Sequence, residues 1–225
     1  MPYVVEPVVD PERLAGPQPE IDARELVLRR WTHRDAGQLR AAYADRAIQQ
    51  WNLRTVESLD EAAKLISAWR QGWKRCNAVS WAVVDAGRPQ TVLGQVGFRA
   101  LYPVDGMAEV SYWVVPGHRQ RGVATAATRA LADWAVTTLE LERLELVHST
   151  RNLPSCRVAI AAGFAQEGVK RRLQQHADGW HDMCLHGRIR ADETAPAIPF
   201  RSRLAARLER SVRVGDAGGR PAFIT

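Results

Sequence analysis

The chain of 225 residues predicts an α/β (α+β) fold, a mixed central sheet of about seven strands with helices on both faces. Three observations lead there. Strand-like and helix-like apolar patterns follow one another in the order β-αα-βββ-α-β-α-ββ. Three of the strand-like runs, at 79–85, 92–99 and 107–115, are separated only by the turns A-G-R-P (86–89) and Y-P-V-D-G (102–106), as in consecutive antiparallel strands. The last of these runs leads into the basic loop P-G-H-R-Q-R-G (116–122), and an Ala-rich helix starts at once.

Each element has its own signal. Residues 1–20 hold five prolines and little periodicity, and predict an arm over the surface. E-L-V-L-R-R-W at 25–31 alternates as a first strand. Thr32 caps a helix reaching about residue 44. I-Q-Q-W-N-L at 48–53 predicts a loop or short turn. Ser58 with Glu61 is a capping box, and Leu59, Ala62, Ala63, Ile66, Trp69 and Trp73 share one face of the helix that follows. In the helix predicted over 123–138, Val123, Ala127, Ala130, Leu131, Trp134 and Ala135 form the apolar stripe. A strand at 144–148 precedes a helix capped by Asn152, with Pro154 in its first turn and Gly163 ending it. Runs at 164–172 and 180–188 are the final strands, joined through Asp178 and Gly179. Beyond them, 191–225 is a basic extension with one candidate helix at 202–212.

Composition narrows the class. Apolar content of 46% and charged content of 25% are those of a soluble globular protein, and no apolar run is long enough to span a membrane. The N-terminus lacks the basic segment of a signal peptide, so a cytoplasmic location is expected. Cys76, Cys156 and Cys184 have no disulfide or metal spacing; free thiols and no metal are expected. A net charge of +6 favours anionic partners, yet the cations are scattered and no helix has a basic face interleaved with aromatics. Nucleic acid is therefore not an expected partner, and a polyanionic small molecule explains R-Q-R at 119–121 more economically.

The loop itself has the make-up of a phosphate site. A pyrophosphate needs several N–H donors converging on one concavity, and a helix N-terminus after a Gly turn supplies them together with a favourable dipole. Gly122 and the small Ala124 let the backbone come close.

R-Q-R-G-V-A at 119–124 matches the (Q/R)-x-x-G-x-(G/A) signature of the GNAT N-acetyltransferases. With Y-W-V-V-P at 112–116, R-N-L-P-S at 151–155 and A-G-F-A-Q-E-G at 162–168 in order, the chain resembles the RimJ/RimL-type branch, the ribosomal-protein N-terminal acetyltransferases, over roughly residues 24–190. The resemblance implies an acetyltransferase domain at 21–190, acetyl-CoA or another acyl-CoA as donor, an amine acceptor (a protein N-terminus, peptide or small molecule), no metal, and a monomer or homodimer. It implies that the amides of Gln120, Arg121, Gly122, Val123, Ala124 and Thr125 bind the pyrophosphate, with charge added by Arg119 or Arg121. The backbone of Trp113, Val114 and Val115 and the Asn152 side chain would hold the pantetheine arm. Val114 N–H would polarise the thioester carbonyl.

Direct attack of a neutral amine on a thioester needs orientation, carbonyl polarisation, a proton acceptor for nitrogen and a donor for the thiolate, but no enzyme nucleophile. Cys156 and Cys184 are accordingly read as packing residues. Many family members use a Tyr on the helix after the Asn; the matching position is Ala159, and Ser155 is the candidate acid instead. Glu109 is the candidate base, with Asp182 and His148 as alternatives. For the acceptor pocket the candidates are Trp51, Trp180 and Asp182, with Asp178 as a further acid; Trp69 and Trp73 are read as core. The rival function is a CoA-binding sensor of the same fold without turnover.

Overall fold

The computed structural model describes residues 6–10 and 12–193. Short helix α1 (Glu12–Ala15) precedes β1 (Ile21–Ala23) and β2 (Leu26–Arg30); then come α2 (Ala36–Tyr43), α3 (Arg46–Asn52) and α4 (Leu59–Lys74). Next come β3 (Val79–Asp85), β4 (Arg88–Tyr102), β5 (Met107–Val114), α5 (Val123–Thr137), β6 (Arg143–Ser149), α6 (Leu153–Ala161), β7 (Ala165–His176) and β8 (Gly179–Ile189). One eight-stranded sheet runs β1-β2-β3-β4-β5-β6-β8-β7, antiparallel except for β5 with β6. The strand beyond the expected seven is β1, only three residues long and too short to carry an alternation signal. The candidate helix at 202–212 lies outside the described residues.

Two apolar clusters cover the two faces. Val123, Ala127, Leu131, Ala135 and Ala159 from α5 and α6 meet Trp81, Val83, Val96, Phe98, Val110, Leu144 and Leu146 on one side. Leu39, Tyr43, Ile48, Ala62 and Ile66 from α2, α3 and α4 meet Ala82, Val84, Val92 and Trp113 on the other. Alternation along the strands assigns these sides: Val110, Tyr112 and Val114 go with the first cluster, Trp113 with the second.

The proline-rich arm is anchored rather than merely laid over the surface. Val9 and Leu14 are buried in the first cluster. The indole N–H of Trp73 donates to Gly16 O at 2.7 Å, and that of Trp81 to Pro19 O at 2.8 Å. Buried indoles require acceptors, and the arm's carbonyls supply them. Trp81, Trp134 and Phe98 pack edge to face around this point.

The segment at 48–53, expected as a loop, lies largely in helix α3. Its start signal is Asp45, whose Oδ1 accepts from Ile48 N at 2.9 Å, and Leu53 ends it at φ 54. Seven residues are too few to display a periodic stripe. Thr32 does open the helical region, with Asp35 completing a capping box.

Asp35 is also a packing point. It is 3% exposed and pairs bidentately with Arg29, at 2.8 and 2.9 Å. Burial pushes its carboxyl up, but the bonds from Arg29 and Thr32 outweigh this and hold it below the usual value. Asp35→Ala leaves Arg29 without its partner, and urea denaturation should show a loss of about 3 kcal/mol. A change within about 0.5 kcal/mol would mean that solvent replaces the pair at no cost.

Candidate active site

Strands β5 and β6 pair only through Met107↔Arg143, Ala108↔Leu144 and Glu109↔Glu145. Beyond Glu109 the two part, and a cavity of about 570 Å³ opens in the fork. That volume suits a small-molecule site. Its lining includes Tyr112, Val114, Gly122, Ser155 and Asn152, and also Trp51, Asn52, Gln174 and His176. Residues from both sides of the sheet therefore meet where the sheet is split.

The loop between β5 and α5 forms one wall. Gln120 (φ 59) and Gly122 (φ 78) both take left-handed conformations, so successive peptide N–H groups turn inward as a nest. Gly122 sits at the helix cap and has no side chain to bond the first turn, and the first α-helical bond there runs from Ala126 N to Gly122 O. The N–H groups of Val123, Ala124 and Thr125 precede that bond and line the cavity with the positive end of α5 behind them. A Cβ built on Gly122 meets no protein atom within 4 Å, so the space beside it is open. These features fit a pyrophosphate.

Arg119 is held inward. Its Nε donates to Val114 O at 3.1 Å and its Nη2 to Asp45 Oδ1 at 2.6 Å. Burial alone would raise the Asp45 carboxyl; the Arg119 guanidinium and nearby N–H groups keep it below its ordinary value. Arg119 thus ties the loop to the start of α3 while remaining part of the cavity lining. Arg121 is exposed and outside the cavity lining, whereas His118 is within it.

Backbone direction separates the three residues expected to face the fork. Val115 N donates to Leu93 O at 2.9 Å, on the β4 side. Trp113 O lies against the position of a Cβ built on Gly94, also toward β4. Peptide groups alternate along a strand, so those of Val114 point the other way, into the fork. Trp113 contributes its buried ring instead, edge-on to Tyr43 at 5.7 Å.

Ser155 is 8% exposed, and its Oγ lies 2.7 Å from the Tyr112 hydroxyl. Burial pushes the Tyr112 phenol up to about 12, despite the opposing effect of Ser155. Asn152 Oδ1 accepts from Ser155 N at 3.3 Å, so the Asn caps α6 while its amide nitrogen keeps both donors. Tyr112 was not singled out from the sequence for chemistry. Its signal is its place two residues before Val114, on the same face of β5.

Glu109 stands where the strands part and is ion-paired with Arg99, the bulged residue of β4. Across the cavity His176 Nδ1 lies 3.2 Å from Gln50 O. Facing a carbonyl, Nδ1 must carry the proton, which leaves Nε2 as an acceptor. Nε2 is buried and has no partner. Trp51 lies edge-on to His176 at 5.9 Å, and His176 stacks on His181 at 4.1 Å. Asp178 is engaged by His181 and Arg151 at 2.8 and 2.7 Å.

The other acceptor candidates lie elsewhere. Trp180 is half exposed at the end of the hairpin, with the Arg172 guanidinium 5.8 Å from its ring centre. Asp182 Oδ1 accepts from Arg172 N at 2.8 Å and steadies the irregular stretch of β7. Neither lines the cavity. His148 does, but both of its ring nitrogens are engaged, by Ser149 O and by His186.

Residues 25–165, well over half of the chain, match the family model described as "Acetyltransferase (GNAT) domain". A Bacillus subtilis protein named as an uncharacterized N-acetyltransferase, YoaA, is 26% identical over 78% of this chain and 99% of its own length. The Escherichia coli ribosomal-protein-serine acetyltransferase is 29% identical over 44% of this chain and 55% of its own. Among solved structures, RimL, a ribosomal L7/L12 α-N-protein acetyltransferase in complex with coenzyme A, superposes with a TM-score of 0.69 at 20% identity, over 76% of this chain and 98% of that one. At that identity the likeness concerns the fold.

Proposed function

The chain belongs to the GNAT acetyltransferase family, and from that premise we propose that it transfers an acetyl group from acetyl-CoA to a primary amine in one ternary complex, with a peptide or protein N-terminal α-amine as the preferred acceptor. The observation that carries this is the fork. A nest of N–H groups, an inward-facing Val114 peptide and a hydroxyl pair line one cavity together with His176, whose ring Nε2 is buried and unpartnered.

Each group has a task. The N–H groups of Val123, Ala124 and Thr125 hold the pyrophosphate, and the Asn152 amide and Val114 carbonyl edge bond the pantetheine. Val114 N–H polarises the thioester carbonyl, where charge develops on oxygen. Tyr112 donates to Ser155 Oγ, which leaves the Ser155 O–H free to protonate the departing thiolate. His176, a lining residue, takes the proton from the attacking nitrogen once its ring turns the buried Nε2 toward the cavity, and Trp51 walls that end. Glu109, paired with Arg99, holds the fork open and keeps a carboxylate near the incoming ammonium.

The acceptor preference rests on proton availability and on the names of relatives. An α-amine, pKa about 7.7–8.0, is roughly a tenth neutral at pH 7; a lysine near 10.4 is under about 0.1% neutral. A single neutral imidazole is sufficient for the first and poorly matched to the second. The test is mass spectrometry of acetyl-CoA reactions with free-N-terminus peptides, N-terminally blocked lysine peptides and small amines. Free α-amines should gain one acetyl group fastest, and His176→Gln should lower that rate with little change in acetyl-CoA affinity. Faster acetylation of the lysine peptides would refute the acceptor assignment. Tight acetyl-CoA binding with no transfer to any amine would refute catalysis.

A further inference from the structure

Behind the hydroxyl pair lies a cluster that the acetyl transfer does not use. His148 on β6, His186 on β8 and Cys156 on α6 bring one ligand atom each within 4.8 Å of one another. His148 Nε2 and His186 Nε2 are 3.1 Å apart. Two imidazole nitrogens held tetrahedrally at about 2.0–2.1 Å from one zinc ion would be about 3.3 Å apart, close to what is found. His148 Nδ1 lies 2.8 Å from Ser149 O, so it carries the proton and presents Nε2 as a lone pair. That carbonyl contact is the arrangement that orients metal-bound histidines. His186 is fully buried; its Nδ1 makes no hydrogen bond of regular geometry, and the Phe164 backbone is the polar group that acts on the ring.

A second thiol stands on the same sheet face, outside the three whose ligand atoms all lie within 4.8 Å of one another. Cys184 is buried, pairs in register with His148 and precedes His186 by two on the same face of β8. Thiolate and imidazole together are the donors of tetrahedral zinc sites, not of magnesium or calcium.

We propose that His148, His186 and Cys156, completed by Cys184, bind one Zn²⁺ between α6 and the β6–β8 face. Without metal, the His186 Nε2–H donates to His148 Nε2. On binding, that proton moves to His186 Nδ1, each coordinating thiol releases its proton to solvent, and the ion takes both Nε2 lone pairs. No redox change is involved. The ion clamps the first turn of α6, which carries Ser155 immediately before Cys156, onto the sheet. The expectation of no metal rested on spacing along the chain. The four residues come from three elements, so no local motif announces them.

The test uses the full chain, stripped with chelator and titrated with Zn²⁺ or with Co²⁺ as a spectroscopic probe. One ion per chain is expected, with thiolate-to-cobalt charge-transfer absorption, visible bands of tetrahedral intensity and a higher thermal midpoint with Zn²⁺. Cys156→Ser and His186→Ala should each weaken Zn²⁺ binding by more than about tenfold, since even outer-shell changes commonly cost 10–100-fold. Cys76→Ala, outside the cluster, should leave it unchanged. Substoichiometric metal, an octahedral cobalt spectrum without charge transfer, or equal weakening by Cys76→Ala would overturn the site. The spectrum of the unmodified chain keeps the proposal falsifiable if a variant misfolds, and none of these readouts depends on acetyl transfer.

Discussion

Gly122→Glu is expected to abolish acetyl-CoA binding, raising the dissociation constant at least about a hundredfold, or roughly 2.7 kcal/mol. Two effects combine. Gly122 has φ 78, and an L side chain in that region costs roughly 1–2 kcal/mol. Since a Cβ there meets no protein atom, folding is not blocked, and the carboxylate instead adds negative charge at the loop proposed to hold the pyrophosphate. Gly122→Ala separates the two effects: it carries the backbone strain alone, which is equal in the free and bound states, and should cost roughly 1–2 kcal/mol of stability with little change in acetyl-CoA affinity. Calorimetry on folded variants reads both. Unchanged affinity in the glutamate variant would remove the loop from the donor site.

The second large effect belongs to the hydroxyl pair. Ser155→Ala should lower kcat about a hundredfold, the lower end for loss of a positioned general acid, while acetyl-CoA affinity stays within about twofold. Tyr112→Phe should have a similar cost, and the double variant should be little worse than either single one, because the two act as one relay. Additive losses would mean independent roles. The high pKa of Tyr112, about 12, keeps it protonated at neutral pH, as a donor must be. The linkage sign follows: a folded pKa raised above the unfolded value near 10 contributes stability that is present below about pH 10 and lost as pH rises through about 12. Denaturant melts at pH 9 and 11 should show this alkaline loss in the unmodified chain and a smaller one in Tyr112→Phe.

These predictions draw on different levels of the molecule. The strand–loop–helix at 112–137 was legible because its information is local: an apolar strand, a glycine where φ must be positive and a helix whose first N–H groups have no partners. The same holds for the Asn152 cap and for Ser155 three residues on. Helix α3 was missed because it is short and its start depends on the Asp45 side chain. Trp180 and Asp182 were proposed for the acceptor side by proximity along the chain, but the hairpin turns both away from the cavity.

Sequence alone thus determined the order of the longer elements, the family resemblance and the strand–loop–helix proposed to hold the donor, since each depends on residues a few positions apart. Only the tertiary structure decided which peptide groups face the fork, that Tyr112 meets Ser155, that His176 joins the cavity lining with a buried, unpartnered Nε2, and that His148, Cys156 and His186 converge. The reason is geometric. Side-chain direction alternates along strands, and the β6–β8 register, like the point where β5 and β6 part, is set by packing across the whole sheet, which no local window contains.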